Sequence, residues 1–421
     1  MNNQESRAFL TRLFNAAVEA ADPKAAMAPL LPERPKGRTI VVGAGKGAAQ
    51  MAAAFEDLWK EPVDGVVVTR YGYSAPCKHI RVMEASHPVP DAAGAEATAA
   101  LFEAVSGLRE DDLVIALICG GGSALLPAPP EGLTLEDEAA LNRALLASGA
   151  PIGAMNAIRK QVSCIKGGRL AAAAHPARVV SLVVSDVPGD APAEVASGPT
   201  VPDARDLAAA KALIEAHRIA LPEKVAAFLE NGPAPAPHPD DAEFVRDEVH
   251  VIASAALSLE AAAALSEKEG VPAVILSDAI EGEARDVGRV HAAIAREIAT
   301  KGRPFKRPVL ILSGGETTVT LSGSGGRGGR NTEFLLSFAG GIEGFDIVAL
   351  AADTDGIDGS EDNAGAYADG SSWARLRVAE ADPQALLSAH DAWGAFDCIG
   401  DLFVPGPTGT NVNDFRAILV R

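Results

Sequence analysis

The sequence is short of cysteine, of aromatics, of positive charge and of long apolar runs, and each shortage closes off a class of protein. Its four cysteines, Cys77, Cys119, Cys164 and Cys398, are scattered without CxxC or CxxH spacing, so neither a disulfide framework nor a structural zinc site is signalled. That usage fits a reducing cytoplasm. The stretch MNNQESRAFL lacks the charged-then-apolar pattern of a secretory leader, and the longest apolar run, LVIALICGGGSALL, is broken by glycines and too short to span a bilayer. A soluble chain is expected. Lys and Arg number 37 against 56 Asp and Glu, a net charge of −19 that disfavours nucleic acid and anionic membranes as partners. Any cation used in function must be concentrated locally around a small anion. Aromatics make up 5% of a chain that is 48% hydrophobic and rich in alanine, so the cores are expected to be small aliphatic side chains packed between helices and sheets, as in α/β enzymes.

At 421 residues the chain exceeds one ordinary core, and two domains are expected. Apolar runs alternate with helix-like runs, the βαβ pattern of a mostly parallel sheet covered on both faces. Strands are predicted at 39–42, 65–69, 80–83, 113–118 and 179–184, with helices over 44–59, 92–105 and 135–147. Their near-continuous Val/Ile/Leu content marks strands buried on both sides, giving a doubly wound parallel-sheet domain. The proline-rich stretch NGPAPAPHPD, 231–240, reads as an exposed connector and places the boundary, with domains at 1–235 and 241–421. Beyond it, VHVIAS, AVILS, VLILSGG, TTVTL, FDIVALAAD and FRAILVR supply the strands of a second, smaller α/β domain. TTVTL follows VLILSGG so closely that the two are expected to be antiparallel neighbours, which makes the second sheet mixed.

Glycine-rich turns recur directly after these strands: GAGKGA (43–48), CGGGSALL (119–126), SDVPGDAPAEVASGPT (185–200), SGGETTV (313–319), GSGGRGGRNTE (323–333), AADTDGIDGSEDNAGA (351–366) and GPTGTNVND (406–414). In open α/β sheets such turns form the ligand crevice, with bare amides and helix N-termini facing anions. One glycine turn is structure; their recurrence points to a site. In GAGKGA, Gly43, Gly45 and Ala48 fit the GxGxxG/A frame, but a nicotinamide enzyme wants an acid about 20 residues on at the tip of the next strand. Asp64 precedes that strand, and its tip is Thr69-Arg70, which leaves only an NADP reading open. The GxxxxGK[ST] frame fails as well. What remains is Lys46 at a helix N-terminus beside exposed amides, suited to a phosphate or carboxylate.

CGGGSALL sets bare amides and the Ser123 hydroxyl at the end of an apolar strand, an arrangement that suits an anion. It does not meet the GxSxG frame of a serine hydrolase. NAIRKQVSCIKGGRL gathers Arg159, Lys160, Lys166 and Arg169, which is either a solvated helix face or the local positive charge the chain otherwise lacks. Asp186 and Asp190 in SDVPGD, and Asp353, Asp355 and Asp358 in DTDGIDG, sit just past apolar strands, where carboxylates bind Mg²⁺ or accept a hydroxyl proton, or else cap turns. An EF-hand is excluded, because Asp358 and Ala364 stand where that frame needs glycine and glutamate. GGRGGRNTE adds Arg327 and Arg330, able to neutralise a transferring phosphoryl group or clamp a carboxylate.

Taken in order, GAGKGA, ASHPVPD, CGGGSALL, NAIRKQVSCIKGGRLA, SDVPGD with ASGPT, SGGETTV, GGRNTE, DTDGIDG and GTNVND resemble the glycerate 2-kinase family, whose C-terminal part is the MOFRL domain and whose members are often labelled hydroxypyruvate reductases. The likeness runs from about residue 8 to the end, with the MOFRL region at about 305–418. It implies a Rossmann-like N-terminal domain, a smaller C-terminal α/β domain, an active site in the cleft between them, and ATP- and Mg²⁺-dependent phosphorylation of the 2-hydroxyl of D-glycerate. On this chain it implies Lys46 and Arg330 at the phosphates or substrate carboxylate, with Asp190 as the third catalytic residue. Gly43, Gly45, Gly121, Gly122 and Ser123 would bind substrate or nucleotide, as would Asn156 and Lys160. From the C-terminal half, Gly314, Glu316, Asn331, Thr410 and Asn411 would join them, and Asp186, Asp353 and Asp355 would hold the metal. Two departures stand out: Thr332 replaces the usual glutamine of GGRNQE, and Gln161 replaces a common histidine.

Phosphoryl transfer needs clustered cations, a metal-binding carboxylate and a base near the hydroxyl, and the sequence supplies all three. Two rivals remain: an NAD(P)H-dependent hydroxypyruvate reductase, for which His87 is the one histidine placed to donate a proton, and a ligand sensor that binds a small acid without turning it over. The expected partners are glycerate and a nucleotide, with no nucleic acid, no membrane and a possible homodimer.

Overall fold

The computed structural model describes residues 1–187, 189–321 and 325–421. Pro188 and residues 322–324, which fall in or next to two of the glycine-rich turns, lie outside the described residues. The chain divides into two compact units: a first formed by residues 23–252, and a second formed by residues 1–22 together with 253–421.

The first unit is built on a six-stranded sheet of β1 (Thr39–Ala44), β2 (Asp64–Arg70), β3 (Arg81–Ala85), β4 (Leu113–Cys119), β5 (Arg178–Val184) and β6 (Glu248–Ala253), in the order β3-β2-β1-β4-β5-β6. β1 pairs in parallel with both β2 and β4, and the parallel pairing continues from β2 to β3 and from β4 to β5. Every residue of β1 and β4 is buried, as the unbroken Ile/Val/Leu composition requires of strands covered on both faces. The order is that of a doubly wound fold, and the direction in which successive strands are added reverses at the β1/β4 pair. Register aligns Ala44 with Ile118, so GAGKGA and CGGGSALL leave the same end of the sheet side by side, at the switch point where such sheets bind ligands. One core of valine, alanine, leucine and isoleucine lines this sheet, and a second gathers Leu141, Leu145, Ile158, Val162, Val225 and Leu229 among the helices.

The second unit holds β7 (Ala273–Ser277), β8 (Gly282–Glu283), β9 (Val309–Gly315), β10 (Thr317–Thr318), β11 (Ile347–Asp353), β12 (Gly365–Asp369), β13 (Leu402–Phe403) and β14 (Asp414–Val420). Its main sheet runs β13-β12-β11-β14-β9-β7, antiparallel except for the β7/β9 pair, and is mixed as expected. Helices Ala284–Lys301 and Arg330–Gly341 cover one face through Ile298, Phe334, Phe338 and their neighbours.

Three sequence expectations are corrected here. The boundary at 231–240 is wrong: the proline-rich stretch lies inside the first unit, because VHVIAS beyond it forms β6, the edge strand of the first sheet. The first 22 residues belong with the C-terminal half, since helix Asn3–Ala20 buries Phe9, Leu10, Leu13, Phe14 and Ala17 among Leu259, Leu310, Leu350 and Phe415. Phe14 meets Phe403 and Phe415 edge-on, with centroids 5.0 and 5.8 Å away. TTVTL is not an antiparallel neighbour of VLILSGG: its first two residues, β10, pair in parallel with β8. Among the described residues no helix is long and apolar enough to cross a membrane, and all four cysteines are free.

Candidate active site

In the first unit the turn after β1 is clamped from both sides. Gly45 donates its amide to Val68 O at 3.1 Å and Lys46 donates its own to Gly120 O at 2.8 Å. The Thr69 hydroxyl donates to Lys46 O at 3.0 Å, and the Gly47 amide to Cys119 Sγ at 3.2 Å. Gly45 takes φ 139°, and a Cβ there would fall 2.3 Å from Cys119 Sγ, so only glycine lets the two turns close. Burial holds the Cys119 thiol protonated, its pKa pushed up to about 12, which removes it as a nucleophile.

The Lys46 backbone is fixed while its half-buried side chain makes no ion pair or hydrogen bond with the described residues. Gly121, at φ 79°, faces it: a Cβ there would lie 3.0 Å from Lys46 Cγ and 3.1 Å from His87 Nε2. A bare turn thus brings Lys46 and His87 together. His87 is half-buried, and burial, Lys46 and Arg70 together pull its pKa down to about 4. Gly120 does the same for Asp186, whose Oδ2 would be 2.0 Å from a Cβ at that position. Gly122 packs against Ala196 and Ala44 with no room for a side chain. The Gly43 position is closed by Leu117 and Val67, so that glycine serves strand packing.

Ser123 lies on a buried polar relay. Its Oγ is 2.9 Å from Ser197 Oγ, which donates to Asn156 Oδ1 at 3.0 Å, and Asn156 Nδ2 donates to Glu194 O at 2.9 Å. Ala196 and Ser197 hold left-handed backbones at φ 54° and 62°, and Asp190 does so at φ 50°. Strained non-glycine residues gathered beside a glycine turn are the pattern expected where geometry serves function. The Asp190 carboxylate makes no hydrogen bond or ion pair with the described residues.

The basic run 156–170 is neither a solvated face nor an open anion site. Lys160 is fully buried, pairs with Glu194 at 3.4 Å and also meets Asp203, and burial pulls its pKa down to about 8 against the pull of Asp203. Lys166 is buried on Glu138 at 2.8 Å and donates to Leu126 O at 2.9 Å. Arg159 donates to Asn156 and Asn142, and burial lowers its pKa to about 10. Lys160 as a binding residue is therefore corrected to a structural ion pair. Gln161 is buried and donates to Arg205 O at 3.3 Å, so the departure at 161 is an interior one.

In the second unit, Arg330 opens helix Arg330–Gly341. Its Nε donates to Asp414 Oδ1 and its Nη2 to Asp353 Oδ2, each at 2.6 Å, while Nη1 stands 3.8 Å from Glu316. Strand register creates the pair: β11 and β14 align Asp353 with Asp414, and the guanidinium bridges them. Asp414, which the sequence reading did not single out, is a hub. It also accepts from Asn331 Nδ2 at 2.8 Å and pairs with the fully buried Arg416, whose Nη1 donates to Gly314 O at 3.1 Å. The three carboxylates hold Arg330 firmly charged against the cost of burial. Burial pushes the Asp353 carboxyl well up, opposed by Arg330 and assisted by Asp355 and Asp414.

Asp358 accepts the Asn331 and Thr332 amides, each at 2.9 Å, capping the same helix with a carboxylate where its dipole favours one. The Thr332 hydroxyl adds 2.8 Å to Asp358, so the departure from glutamine falls at a buried capping position. Asp355 closes its own turn, with Oδ1 accepting from the Ile357 amide at 2.8 Å and Oδ2 meeting Asn411 Nδ2 at 3.5 Å. Thr410 donates its hydroxyl to Ala21 O at 3.0 Å. In this structure Asp353 is thus the partner of Arg330, and Asp355 a turn residue. Among the described residues no three His, Cys, Asp or Glu side chains are grouped to hold a metal.

Comparison with known proteins bears on both units. Residues 9–230 match the family described as a domain of unknown function, DUF4147, and residues 309–414 match the MOFRL family. An Agrobacterium vitis protein named "Putative hydroxypyruvate reductase" is 54% identical over 422 residues, covering 100% of this chain and 95% of that one. The glycerate 2-kinase of Pyrococcus horikoshii is 39% identical, covering 97% of this chain and 96% of its own. The crystal structure of glycerate kinase from Thermotoga maritima aligns with a TM-score of 0.89 at 37% identity, over 99% of this chain and 100% of that one. With switch-point turns, an arginine-carboxylate cluster and relatives matched along the whole length, this chain belongs to the glycerate 2-kinase family, its C-terminal part a MOFRL domain.

Proposed function

We propose that the protein transfers the γ-phosphoryl group of ATP to the 2-hydroxyl of D-glycerate, giving 2-phosphoglycerate and ADP. The observation that carries this reading is Lys46: a half-buried ammonium without a protein counter-ion among the described residues, fixed at bare amides on the switch point of a doubly wound sheet. An unspent cation there favours a phosphate. Phosphoryl transfer is mainly positioning and charge neutralisation, which this geometry suits. In the second unit Asp414 fixes the Nε edge of the Arg330 guanidinium, whose Nη1 stands 3.8 Å from Glu316.

The residues of the first unit fit Mg²⁺. That ion takes one or two carboxylates and lets phosphates and waters complete its shell, and the missing Cβ of Gly120 lets the Asp186 carboxylate come up against the glycine-rich turn. When bound, Mg²⁺ supplies charge to the β- and γ-phosphate oxygens. The hydride-transfer alternative is disfavoured by His87, which Lys46, Arg70 and burial keep neutral, a poor proton donor to a keto group near pH 7. The reaction belongs to a soluble, cytoplasmic enzyme.

Two assays with purified protein separate the readings. D-glycerate with ATP and Mg²⁺ should release ADP and yield 2-phosphoglycerate rather than 3-phosphoglycerate. Steady NADH or NADPH loss on hydroxypyruvate, without ADP release from glycerate, would overturn the kinase, and tight glycerate binding with neither turnover would make the protein a sensor.

A further inference from the structure

The reaction needs a group to take the proton of the attacking hydroxyl, and the aspartates of SDVPGD are the candidates that sequence alone provides. Geometry favours a different side chain. His87 Nε2 and Lys46 Cγ approach the same point above Gly121, where a Cβ would touch both, so the imidazole shares its space with the lysine assigned to the phosphates. The ring is half-buried, yet neither of its nitrogens has a hydrogen-bond partner among the described residues. A half-buried ring whose nitrogens have no partner among the described residues, set beside a ligand turn, is open to a ligand atom. The charged groups acting on it are Lys46 from the turn after β1 and Arg70 from the end of β2. Arg70 is itself held with its guanidinium carbon 3.5 Å from the ring centroid of Tyr73. Burial, with the two cations adding to it, keeps the imidazole neutral, leaving one nitrogen with a lone pair.

We propose that His87 is a catalytic residue of the phosphoryl transfer, accepting the proton of the acceptor hydroxyl at Nε2. The inference rests on the kinase reading. The O–H bond of the 2-hydroxyl breaks as its oxygen bonds the γ-phosphorus, the bond from that phosphorus to the β,γ-bridging oxygen breaks, and ADP leaves. The proton stays on Nε2 until water takes it, with Nδ1 carrying the other proton throughout. An anionic phosphate on Lys46 offsets the charge that keeps His87 neutral, so the base gains strength once nucleotide is in place.

The test compares His87→Ala, His87→Asn and Asp190→Asn with wild type by steady-state kinetics, ATP binding and chemical rescue. Wild-type ADP formation from D-glycerate is the control, and its absence sinks the kinase reading rather than this inference. With turnover present, His87→Ala is expected to lose about 10²- to 10⁴-fold in kcat, the ordinary worth of a general base, with the Kd for ATP within about threefold. Added imidazole should restore it at least about tenfold, with substituted imidazoles ranking by basicity. His87→Asn keeps the shape and should be equally slow. A kcat within about threefold of wild type in either variant would refute the proposal, as would loss that imidazole leaves unchanged or that follows ATP affinity. A loss of the same size in Asp190→Asn alone would move the base to that residue and refute it as well.

Discussion

Lys46 and Arg330 look alike in sequence, each a cation in a glycine-rich turn at a helix start, yet their surroundings differ. Lys46 has a fixed backbone and a side chain without a counter-ion among the described residues, whereas Arg330 bridges Asp353 and Asp414 with Glu316 nearby. The first is charge held in reserve for a ligand, and the second is charge already balanced. A balanced guanidinium adds little net positive potential, but its planar fork is locked in direction by Asp353 and Asp414, with Nη1 3.8 Å from Glu316. One residue holds charge open to an anion, and the other holds a guanidinium fixed in orientation.

The largest expected effect follows from the unspent charge. Lys46→Ala should lower kcat/KM by about 10³-fold or more, the size seen when a main stabiliser of transferring phosphoryl charge is removed. Its folding stability should stay within about 0.5 kcal/mol, because no protein interaction is broken. Near-normal turnover in that variant would break the comparison at its root.

Arg330→Ala should behave differently, losing both activity and stability. Its removal leaves the buried Asp353 without its cation while Asp414 keeps Arg416, and breaking a buried pair costs about 3–5 kcal/mol. Thermal or denaturant unfolding beside single-turnover kinetics would show this double loss. Equal stability losses in the two variants would erase the distinction between reserve and balanced charge.

The features that sequence reveals are the local ones. An apolar run ending in glycines is a strand ending in a turn, and β1, β4 and β5 with their turns fall within two residues of the expected limits. Positions fixed by distant partners are hidden. Helix Asn3–Ala20 shows an apolar stripe, but nothing in it says that its partners begin at Leu259. VHVIAS follows the proline-rich connector in sequence yet joins the sheet that precedes it. Asp414 ends GTNVND with no role legible in the sequence, because its role arises from antiparallel register opposite Asp353, which only the folded sheet supplies. Charge patterns misled most. Lys160 and Lys166 read as solvent or ligand contacts because lysines are rarely buried unless paired, and their acids, Glu194, Asp203 and Glu138, lie 28 to 43 residues away.

The smallest expected effect concerns a second neutral histidine, set in the unit of balanced charge. His291 is buried between Val287 O at 2.8 Å and Ser313 Oγ at 3.0 Å. Since a carbonyl only accepts, Nδ1 carries the proton and Nε2 receives the Ser313 hydroxyl. Burial pulls its pKa down to about 4, with the charge of Arg416 acting the same way. A histidine whose folded pKa lies below its unfolded value of about 6.5 favours the folded state at high pH, and that contribution is lost as pH falls from there toward 4. Unfolding free energy measured across this window should therefore fall less steeply for His291→Gln than for wild type, by at most about one proton. The effect should appear in stability alone, whereas His87, equally depressed but open to a ligand, should register its protonation in turnover. Parallel acid profiles for wild type and His291→Gln would show that burial does not hold this ring neutral.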